Sequence, residues 1–356
     1  MTMGLDTTRA EAFAGHALNI VNGGFLSLMF SLGHRTGLFD TLGRLPPSTS
    51  EAIAAEAVLN ERYVREWLGA MVVGRVVEYD PEARTYSLPP EHAACLTRSA
   101  GPDNLAELAQ FVGLLADVET PMVDVFRNGG GLEYSAFGRF HELMAEGSRT
   151  VLEATLLSRT LPLVPGLVER LENGIDAADI GCSRGVAITM MARHFPRSRF
   201  VGLDISNDAI AWARAEAERQ GLSNVRFEVQ DAATFGGPAA FDFITAFDAI
   251  HDQAAPRRVL RGIREALQPD GTFLMVDIAA SSALENNLDH PLAPFPFTAS
   301  TMHCTTVSLA QGGEGLGACW GEEKARELLA EAGFKTVGVK RVEGDFLNAY
   351  YICRPS

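Results

Sequence analysis

The sequence predicts an α/β protein in which a Rossmann-like, doubly wound parallel sheet closes with an antiparallel hairpin and follows an α-helical, winged-helix-like domain. Short apolar runs alternate with helical stretches from residue 175 onward, an order typical of a parallel sheet with crossover helices. The last two runs, TVGVKRV and NAYYICR, are separated by too few residues for a crossover helix, so they are predicted to pair antiparallel. A chain of 356 residues also favours two domains, because one small core needs fewer.

The N-terminal part, residues 12 to 100, reads as helices followed by a hairpin. The segment STSEAIAAEAVL predicts a helix with Ser48 or Ser50 as its cap, and Asn60 is expected to cap the next one. The apolar side chains predicted to share one face of that second helix are Tyr63, Trp67, Leu68 and Met71. The alternating run VVEYDPEARTYSL then predicts a β-hairpin, which completes a winged-helix pattern.

Winged helices often bind DNA, so a DNA-binding regulator is one open hypothesis. The charge weighs against it. Residues 1–98 contain eight arginines, no lysine and eleven acidic residues, and the whole chain has a formal net charge of −15. A reader of DNA normally presents a basic stripe to the phosphates. We therefore expect this domain to serve dimerisation and to cover the active site, with no nucleic acid as partner.

The cysteine pattern and the first residues of the chain indicate the cellular compartment that is expected. The five cysteines are scattered and lack C-x-x-C spacing, which is typical of free thiols in a reducing compartment. The first residues lack the basic start and apolar core of a signal peptide, so a cytoplasmic protein is expected. Residues 13–33 contain no Asp, Glu, Lys or Arg, but His16, Asn19 and Asn22 are costly in hydrocarbon. The segment is predicted to be a buried or dimer-interface helix rather than a membrane span.

The stretch GCSRG, residues 181–185, permits two interpretations. As G-x-S-x-G it matches the nucleophile elbow of α/β-hydrolases, with Ser183 attacking an ester or amide. It also matches the glycine loop of a nucleotide-type cofactor site in which serine replaces the middle glycine. A strand is predicted before GCSRG and a helix after it, and this context is compatible with both interpretations.

The ends of the following strands favour the cofactor interpretation. Asp204 ends the next strand, nineteen residues after Gly185, a distance that suits a carboxylate binding a ribose diol. Asp231 with Ala232, and then Asp248, follow the next two strands. Parallel sheets bind ligands at the carboxyl ends of their strands, and four consecutive strand ends here carry small or acidic residues. A hydrolase has no role for Asp204 and Asp231.

The series DIGCSRG, VGLDIS, VQDAATF and FDFITAFDAIHD, with the closing hairpin, resembles the class I S-adenosylmethionine-dependent methyltransferases over residues 175–356. The N-terminal part resembles the dimerisation domain of small-molecule methyltransferases. The runs HRTGLFDTL, ERYVREWLGAM, YSLPPEHAACLT and MHCTTVSLAQGGEGLGACWG are similar to a largely uncharacterised bacterial methyltransferase family, some of whose members are labelled transcriptional regulators. The implied domains are a winged-helix-like dimerisation or lid domain (1–100), a helical linker (101–174) and a methyltransferase domain (175–356).

The resemblance implies S-adenosylmethionine as cofactor, S-adenosylhomocysteine as product, and a small molecule as methyl acceptor. The cofactor-binding residues that it implies are Asp179, Gly181, Ser183, Gly185, Asp204, Ile205, Asp231, Ala232, Phe247 and Asp248. Ser183 departs from the family pattern, which has glycine there. If the backbone has φ > 0 at this position, serine is strained and cofactor binding is expected to weaken about tenfold, unless its hydroxyl binds the cofactor's carboxylate.

Two histidines are candidates for the general base that accepts the acceptor's proton. His251 follows Asp248 beyond a strand end, where the acceptor is expected. His303 lies in a connection of about forty residues, 281–320, whose length is typical of a lid or substrate loop. No short ligand spacing indicates a resident metal. A homodimer is expected, and an S-adenosylmethionine-binding protein that no longer methylates is the alternative function.

Overall fold

The computed structural model describes residues 5–355, and the chain divides into two units, Met1–Ala116 and Asp117–Ser356. The division falls inside the predicted helical region 101–174, so residues from 117 onward belong with the sheet. The boundaries of the three predicted domains stay a prediction.

The first unit is helical with one small hairpin. Its described elements are α1 (Thr7–Thr36), α2 (Leu38–Arg44), α3 (Ser50–Ala57), α4 (Glu61–Val73), β1 (Glu78–Asp80), β2 (Thr85–Ser87), α5 (Pro90–Leu96), α6 (Leu105–Leu108) and α7 (Gln110–Ala116). The predicted hairpin is confirmed, with Glu78 opposite Ser87. Trp67 anchors the core: its indole N–H donates to the Met29 carbonyl at 2.8 Å, and its ring meets Phe39 edge-on.

Two details of this unit differ from the predictions. The cap of α3 is Thr49, whose hydroxyl accepts from the Ala52 N–H, rather than Ser48 or Ser50. Tyr63 is 78% exposed, and Val64 takes the buried position on α4. Asn60 caps α4 as predicted.

Helix α1 presents a row of exposed apolar side chains. Leu18, Ile20 and Phe25 are each about 60% exposed. Among the described residues, α1 is a helix long and apolar enough to cross a membrane by length and composition. This is weak evidence for a span, because helices of soluble proteins and signal sequences pass the same test.

The second unit contains the predicted sheet. Its described elements are α8 (Glu119–Asn128), α9 (Phe140–Thr155), α10 (Leu167–Asn173), β3 (Asp176–Ile180), α11 (Val186–His194), β4 (Arg199–Asp204), α12 (Asn207–Arg219), β5 (Val225–Val229), β6 (Phe241–Phe247), α13 (Pro256–Ala266), β7 (Leu267–Ile278), α14 (Pro294–Ala299), α15 (Thr305–Ala310), α16 (Gly321–Glu331), β8 (Thr336–Lys340) and β9 (Asn348–Arg354). Each strand of this sheet, β3 to β9, falls on one of the short apolar runs of the sequence.

The strand order is β5-β4-β3-β6-β7-β9-β8, with β3 to β7 parallel and β9 antiparallel to both β7 and β8. The predicted closing hairpin is thus confirmed. Helices α13 and α16 contribute to the core on one face of the sheet, and α10, α11 and α12 contribute to the core on the other. The sheet is therefore doubly wound. Its chain order reverses between β3 and β6, where the carboxyl ends of neighbouring strands leave a crevice.

The predicted long loop at 281–320 is largely helical. Helix α14, a π-helical turn at Ser300–Cys304 and α15 follow one another without a break. The turn buries His303 and Cys304. Proline and glycine in this segment mark its helix starts and its exit turn rather than a structureless lid.

Candidate cofactor site and methyl-acceptor site

A cavity of about 960 Å³ lies at the carboxyl ends of β3, β4, β5 and β6. The predicted cofactor residues that line it are Asp179, Gly181, Ser183, Asp204, Ile205, Asp231, Ala232, Phe247 and Asp248. Gly185 lies beneath the wall, where a Cβ atom would come within 2.4 Å of the Phe227 ring. The structure brings the other nine into one cavity, of a size that holds a small-molecule ligand. Their roles in binding stay predictions.

The glycine loop between β3 and α11 turns through the left-handed region three times. Gly181, Ser183 and Gly185 have φ of 71°, 49° and 68°. Gly181 also lacks space for a side chain, because a Cβ atom would lie 2.5 Å from the Ala249 Cβ. Serine at 183 is strained by about 1 kcal/mol in this conformation, as the sequence analysis anticipated for φ > 0.

Asp204 is fixed at the end of β4 by two backbone donors. The Ser183 N–H donates to its Oδ2 at 2.7 Å, and the Ser206 N–H donates to its Oδ1 at 2.8 Å. Each carboxylate oxygen can accept two hydrogen bonds and here accepts one, so both retain a lone pair for a ligand. This is the geometry expected of a carboxylate that binds two ribose hydroxyls.

The far end of the cavity is formed after β5. Asp231 is exposed and caps a short 3₁₀ turn, with Oδ1 accepting from the Ala233 N–H at 2.8 Å. Ala232 is buried behind it. A carboxylate held in this way faces solvent and accepts hydrogen bonds, as binding an exocyclic amino group requires.

Two buried carboxylates line the cavity near the sheet axis. Asp179 accepts from the Thr245 hydroxyl at 2.7 Å, and burial raises its pKa to about 7. Asp248 has φ of 49°, and its Oδ1 is buried without a hydrogen-bond partner in the described structure. Burial, and then the Asp277 carboxylate, raise the pKa of Asp248 well above its usual value. Strain and an unsatisfied oxygen at one residue are typical of a functional site.

Residues 171–343 match the family model of a methyltransferase domain, and residues 24–98 match that of an Rv2258c-like winged HTH domain. The second unit carries a methyltransferase domain. Such a domain implies S-adenosylmethionine as cofactor, and it favours the cofactor-loop interpretation of GCSRG over the hydrolase elbow.

Solved structures share the fold of the whole chain. It is similar to human N-acetylserotonin methyltransferase in complex with S-adenosylmethionine, at 17% identity and a TM-score of 0.69 over 100% of both chains. It is also similar to an O-methyltransferase family protein from Burkholderia thailandensis, at 16% identity and a TM-score of 0.67 over 96% of this chain and 98% of the other. Such identities establish the fold alone.

A curated relative is matched over a shorter segment. The methyltransferase YcgJ of Bacillus subtilis (strain 168), whose acceptor its name leaves open, is 33% identical over 78 residues. The match covers 22% of this chain and 31% of that relative. This chain thus matches about a third of the relative's length.

The residues of the methyltransferase domain fit the cofactor. Gly181 allows the loop to pack closely against Ala249, and Asp204 offers both carboxylate oxygens to a diol. The unsatisfied Oδ1 of Asp248 is a buried oxygen that a ligand in the cavity can provide with a hydrogen-bond partner. Ser183, Asp204 and Asp231 would therefore hold the methionine, ribose and adenine parts in that order.

His251 lies in the methyltransferase domain beside a carboxylate that the sequence analysis missed. Its Nδ1 is 2.7 Å from Asp277 Oδ1, and that oxygen also accepts from the Trp320 indole N–H at 3.0 Å and from the Ile278 N–H at 2.8 Å. Both His251 and Asp277 are buried. The one sequence signal for Asp277 is an acidic residue near the end of the apolar run GTFLMVDI.

This contact sets the chemistry of the imidazole. Burial lowers the pKa of His251, but the Asp277 carboxylate and the Cys304 sulfur outweigh it and raise that pKa well above its usual value. When His251 is neutral, Nδ1–H donates to Asp277, which leaves the lone pair on Nε2. His251 does not line the cavity, although Ala249 and Asp252 beside it do.

His303 is enclosed by aromatic rings. Its ring stacks on Phe140 with a centroid distance of 3.9 Å and meets Phe137 edge-on at 4.6 Å. Burial, and then the positive charge of His251, lower the pKa of His303 to about 3. Its ring is thus neutral at physiological pH, and its Nε2 is buried without a partner in the described structure.

Tyr134 connects the cavity to this aromatic cluster. Its hydroxyl donates to Asp252 Oδ2 at 2.5 Å, and its ring centroid lies 5.5 Å from that of His303. Burial raises the pKa of Asp252 to about 6, despite the nearby His251 charge. Asp252 does not cap the following helix, because α13 begins after Ala255 without a side-chain cap. The sequence analysis did not identify Tyr134, which no motif marks.

Proposed function

We propose that the chain is an S-adenosylmethionine-dependent methyltransferase that methylates a hydroxyl group of a small molecule, with His251 as the general base. The observation that carries this proposal is the His251–Asp277 pair beside a cavity lined by four strand ends. The similarity to an O-methyltransferase family protein supports oxygen as the acceptor atom.

The donor side follows from the cavity. Bound S-adenosylmethionine supplies an electrophilic methyl group. Asp204 fixes the ribose, Asp231 the adenine, and the loop at Gly181 the amino-acid part. Asp248, at the end of β6, places a buried carboxylate toward the sulfonium. Holding the donor in one orientation is the main contribution of an enzyme to a displacement of this kind.

The acceptor side follows from the histidine. A hydroxyl is a weak nucleophile until its proton is removed, and Nε2 of neutral His251 is the atom that takes it. Asp277 orients the ring through Nδ1 and stabilises the imidazolium that forms. This division of roles matches the general pattern in which a buried carboxylate holds the base. His303, neutral and enclosed by aromatic rings, is better suited to forming a wall of the acceptor site.

Calorimetric titration with S-adenosylmethionine and S-adenosylhomocysteine tests the donor side. We expect both to bind the wild type and both to bind the Asp204→Asn variant about 100-fold more weakly, since two hydrogen bonds to a charged group are weakened. Asp270→Asn, which removes the same charge from an exposed position of β7, is the control and should bind as the wild type does. If the wild type binds neither ligand, the proposal fails.

The acceptor side is tested with S-adenosylmethionine labelled in its methyl group and a panel of phenols, catechols and aliphatic alcohols. Label in an extracted, base-stable ether supports oxygen methylation. Binding of the cofactor without transfer to any compound favours the alternative, a protein of this fold that binds S-adenosylmethionine and no longer methylates.

We also infer that two copies associate through α1, because its exposed apolar row is larger than isolated surface residues require. Light scattering after gel filtration should give twice the chain's mass of 38.3 kDa. Phe25→Glu should give the monomer. An unchanged mass for wild type and variant at 38.3 kDa would contradict the inference.

Absence of DNA binding is part of the same proposal. The winged HTH domain is acidic in net charge over residues 1–98. A gel shift at low salt with random duplex DNA should show no retarded species, because phosphate contacts need cationic side chains. Retardation that disappears with salt would favour the regulator hypothesis.

A further inference from the structure

Ser183 occupies a conformation that glycine adopts without strain. Its φ of 49° lies in the left-handed region, between two glycines of the same loop with φ of 71° and 68°. Its side chain faces the cavity rather than the core. A strained residue in a ligand-binding loop is typical of a side chain that has a functional role.

The Ser183 hydroxyl has a defined partner. His141 Nδ1 lies 3.0 Å from Ser183 Oγ, and both residues line the cavity. His141 belongs to α9, forty-two positions earlier in the chain, so the contact joins two separate elements of the second unit. The ring of His141 is nearly parallel to that of Tyr134 and meets Phe140 edge-on, which fixes its orientation.

Charged side chains near His141 influence its protonation state. Burial lowers the pKa of His141; Asp204 and Asp208 oppose the shift, and Arg184 adds to it. The imidazole is therefore neutral at physiological pH and presents one N–H. Arg184 also lines the cavity, with its guanidinium 5.2 Å from the Trp212 ring centroid. A hydroxyl, an imidazole and a guanidinium thus share the end where the glycine loop lies.

We propose that Ser183 binds the carboxylate of the cofactor's methionine part through its hydroxyl, and that His141 positions this hydroxyl. The inference rests on the proposed function. His141 Nδ1–H donates to Ser183 Oγ, so the one hydroxyl proton points away from His141 and is available to the carboxylate. A carboxylate only accepts hydrogen bonds, and such a charge-assisted bond is stronger than a neutral one. Ser183 is then a binding residue, and His141 a positioning residue.

This inference reverses the expected effect of serine at 183. Strain alone would make Ser183 a weakening substitution, and Ser183→Gly would then bind the cofactor more tightly. A hydroxyl that binds the carboxylate predicts the opposite, because glycine relieves the strain and loses the contact. Strain and the hydroxyl contact thus predict opposite changes in the cofactor affinity of Ser183→Gly.

The experiment compares two ligands that differ in the amino-acid part, which contains the carboxylate. S-adenosylhomocysteine carries the amino-acid part, whereas 5′-methylthioadenosine has the adenosine and the thioether only. By calorimetry, Ser183→Ala should weaken S-adenosylhomocysteine about tenfold and leave 5′-methylthioadenosine within about twofold, which is the size of a charge-assisted hydrogen bond. Ser183→Gly should weaken the first ligand in the same direction.

His141 is tested by a loss and a rescue. His141→Ala should weaken S-adenosylhomocysteine about fivefold, and His141→Asn, whose side-chain amide retains a donor near the position of Nδ1, should recover most of this loss. Asp231→Asn is the matched control in the same cavity. It should weaken both ligands equally, because both contain adenine. Circular dichroism and thermal melting confirm that each variant is folded.

Three results would overturn the inference. Ser183→Ala weakens both ligands equally or neither; Ser183→Gly binds S-adenosylhomocysteine more tightly than the wild type; or His141→Asn behaves as His141→Ala. Each of these leaves the proposed function intact, because the wild type still binds. Failure of the wild type to bind either ligand overturns the proposed function and the inference with it.

Discussion

The proposed donor and acceptor regions of the methyltransferase domain are built from different parts of the chain. The donor region uses residues at four consecutive strand ends, from Asp179 to Asp248, in sequence order. The acceptor region joins His251 and Asp277 to Tyr134, which precedes the sheet, and to His303 and Trp320, which lie between β7 and β8. The first depends on local geometry repeated along the sheet, and the second on packing between distant segments. The two regions therefore differ in how well a sequence predicts them.

The largest effect should come from His251, the proposed general base of the acceptor region. His251→Ala should lower kcat about 1,000-fold, the size of a lost general base, while the Kd for S-adenosylhomocysteine stays within about twofold. The measurement is turnover with an acceptor selected by the labelled-methyl assay, beside calorimetry. The exposed His194→Ala serves as control. Unchanged turnover in His251→Ala would place the base elsewhere.

Asp277→Asn should have a smaller effect on the same reaction. The carboxylate holds the His251 ring and raises its pKa, so its neutralisation should lower kcat about 10- to 100-fold. The reactive form of His251 is neutral, so the rate should rise with pH through the pKa of His251. In the variant this midpoint should move to lower pH, because the imidazolium loses its partner. A profile that keeps its midpoint would contradict this role for Asp277.

The contrast explains what the sequence predicted and what it did not. Strand and helix alternation predicted the doubly wound parallel sheet, and the few residues between the last two apolar runs predicted the antiparallel closure. The nine predicted residues in one cavity follow from the rule that parallel strands present their carboxyl ends together. Tyr134, His141 and Asp277 escaped notice because each takes its position from a tertiary contact, not from a spacing. The helical form of 281–320 was missed because its prolines suggested a loop, although two of them, Pro294 and Pro296, fall in the first turn of α14.

In the donor region, the buried Asp179 carboxyl should lower the stability of the fold at neutral pH. The pKa of Asp179 is about 7 in the folded state against 3.8 ordinarily, so stability should fall as pH rises from about 4 to 7. Asp179→Asn removes the buried charge while keeping an acceptor for Thr245, and should stabilise the fold at pH 8 by about 2 kcal/mol. Urea unfolding at pH 8 measures this.

Asp176→Asn supplies the comparison on the same strand. Its exposed ion pair with Arg199 should contribute about 0–1 kcal/mol at most, so this variant should be neutral or slightly destabilised. Equal stability of Asp179→Asn and the wild type at pH 8 would mean that the buried carboxylate carries no cost in the folded state.

The smallest expected effect lies in the acceptor region and has the opposite pH dependence. The pKa of His303 is about 3 in the folded state and 6.5 ordinarily, so its contribution to stability is present above pH 6.5 and is lost as pH falls through the window from 6.5 to 3. Because His303 is protonated in the unfolded state, the free energy of unfolding should fall by about 1 kcal/mol for each pH unit below 6.5. Glutamine does not titrate, so in His303→Gln the urea midpoint should change less between pH 6.5 and 5.5 than it does in the wild type. If both proteins lose stability equally over that interval, His303 is not the group responsible, and the aromatic enclosure does not hold it neutral.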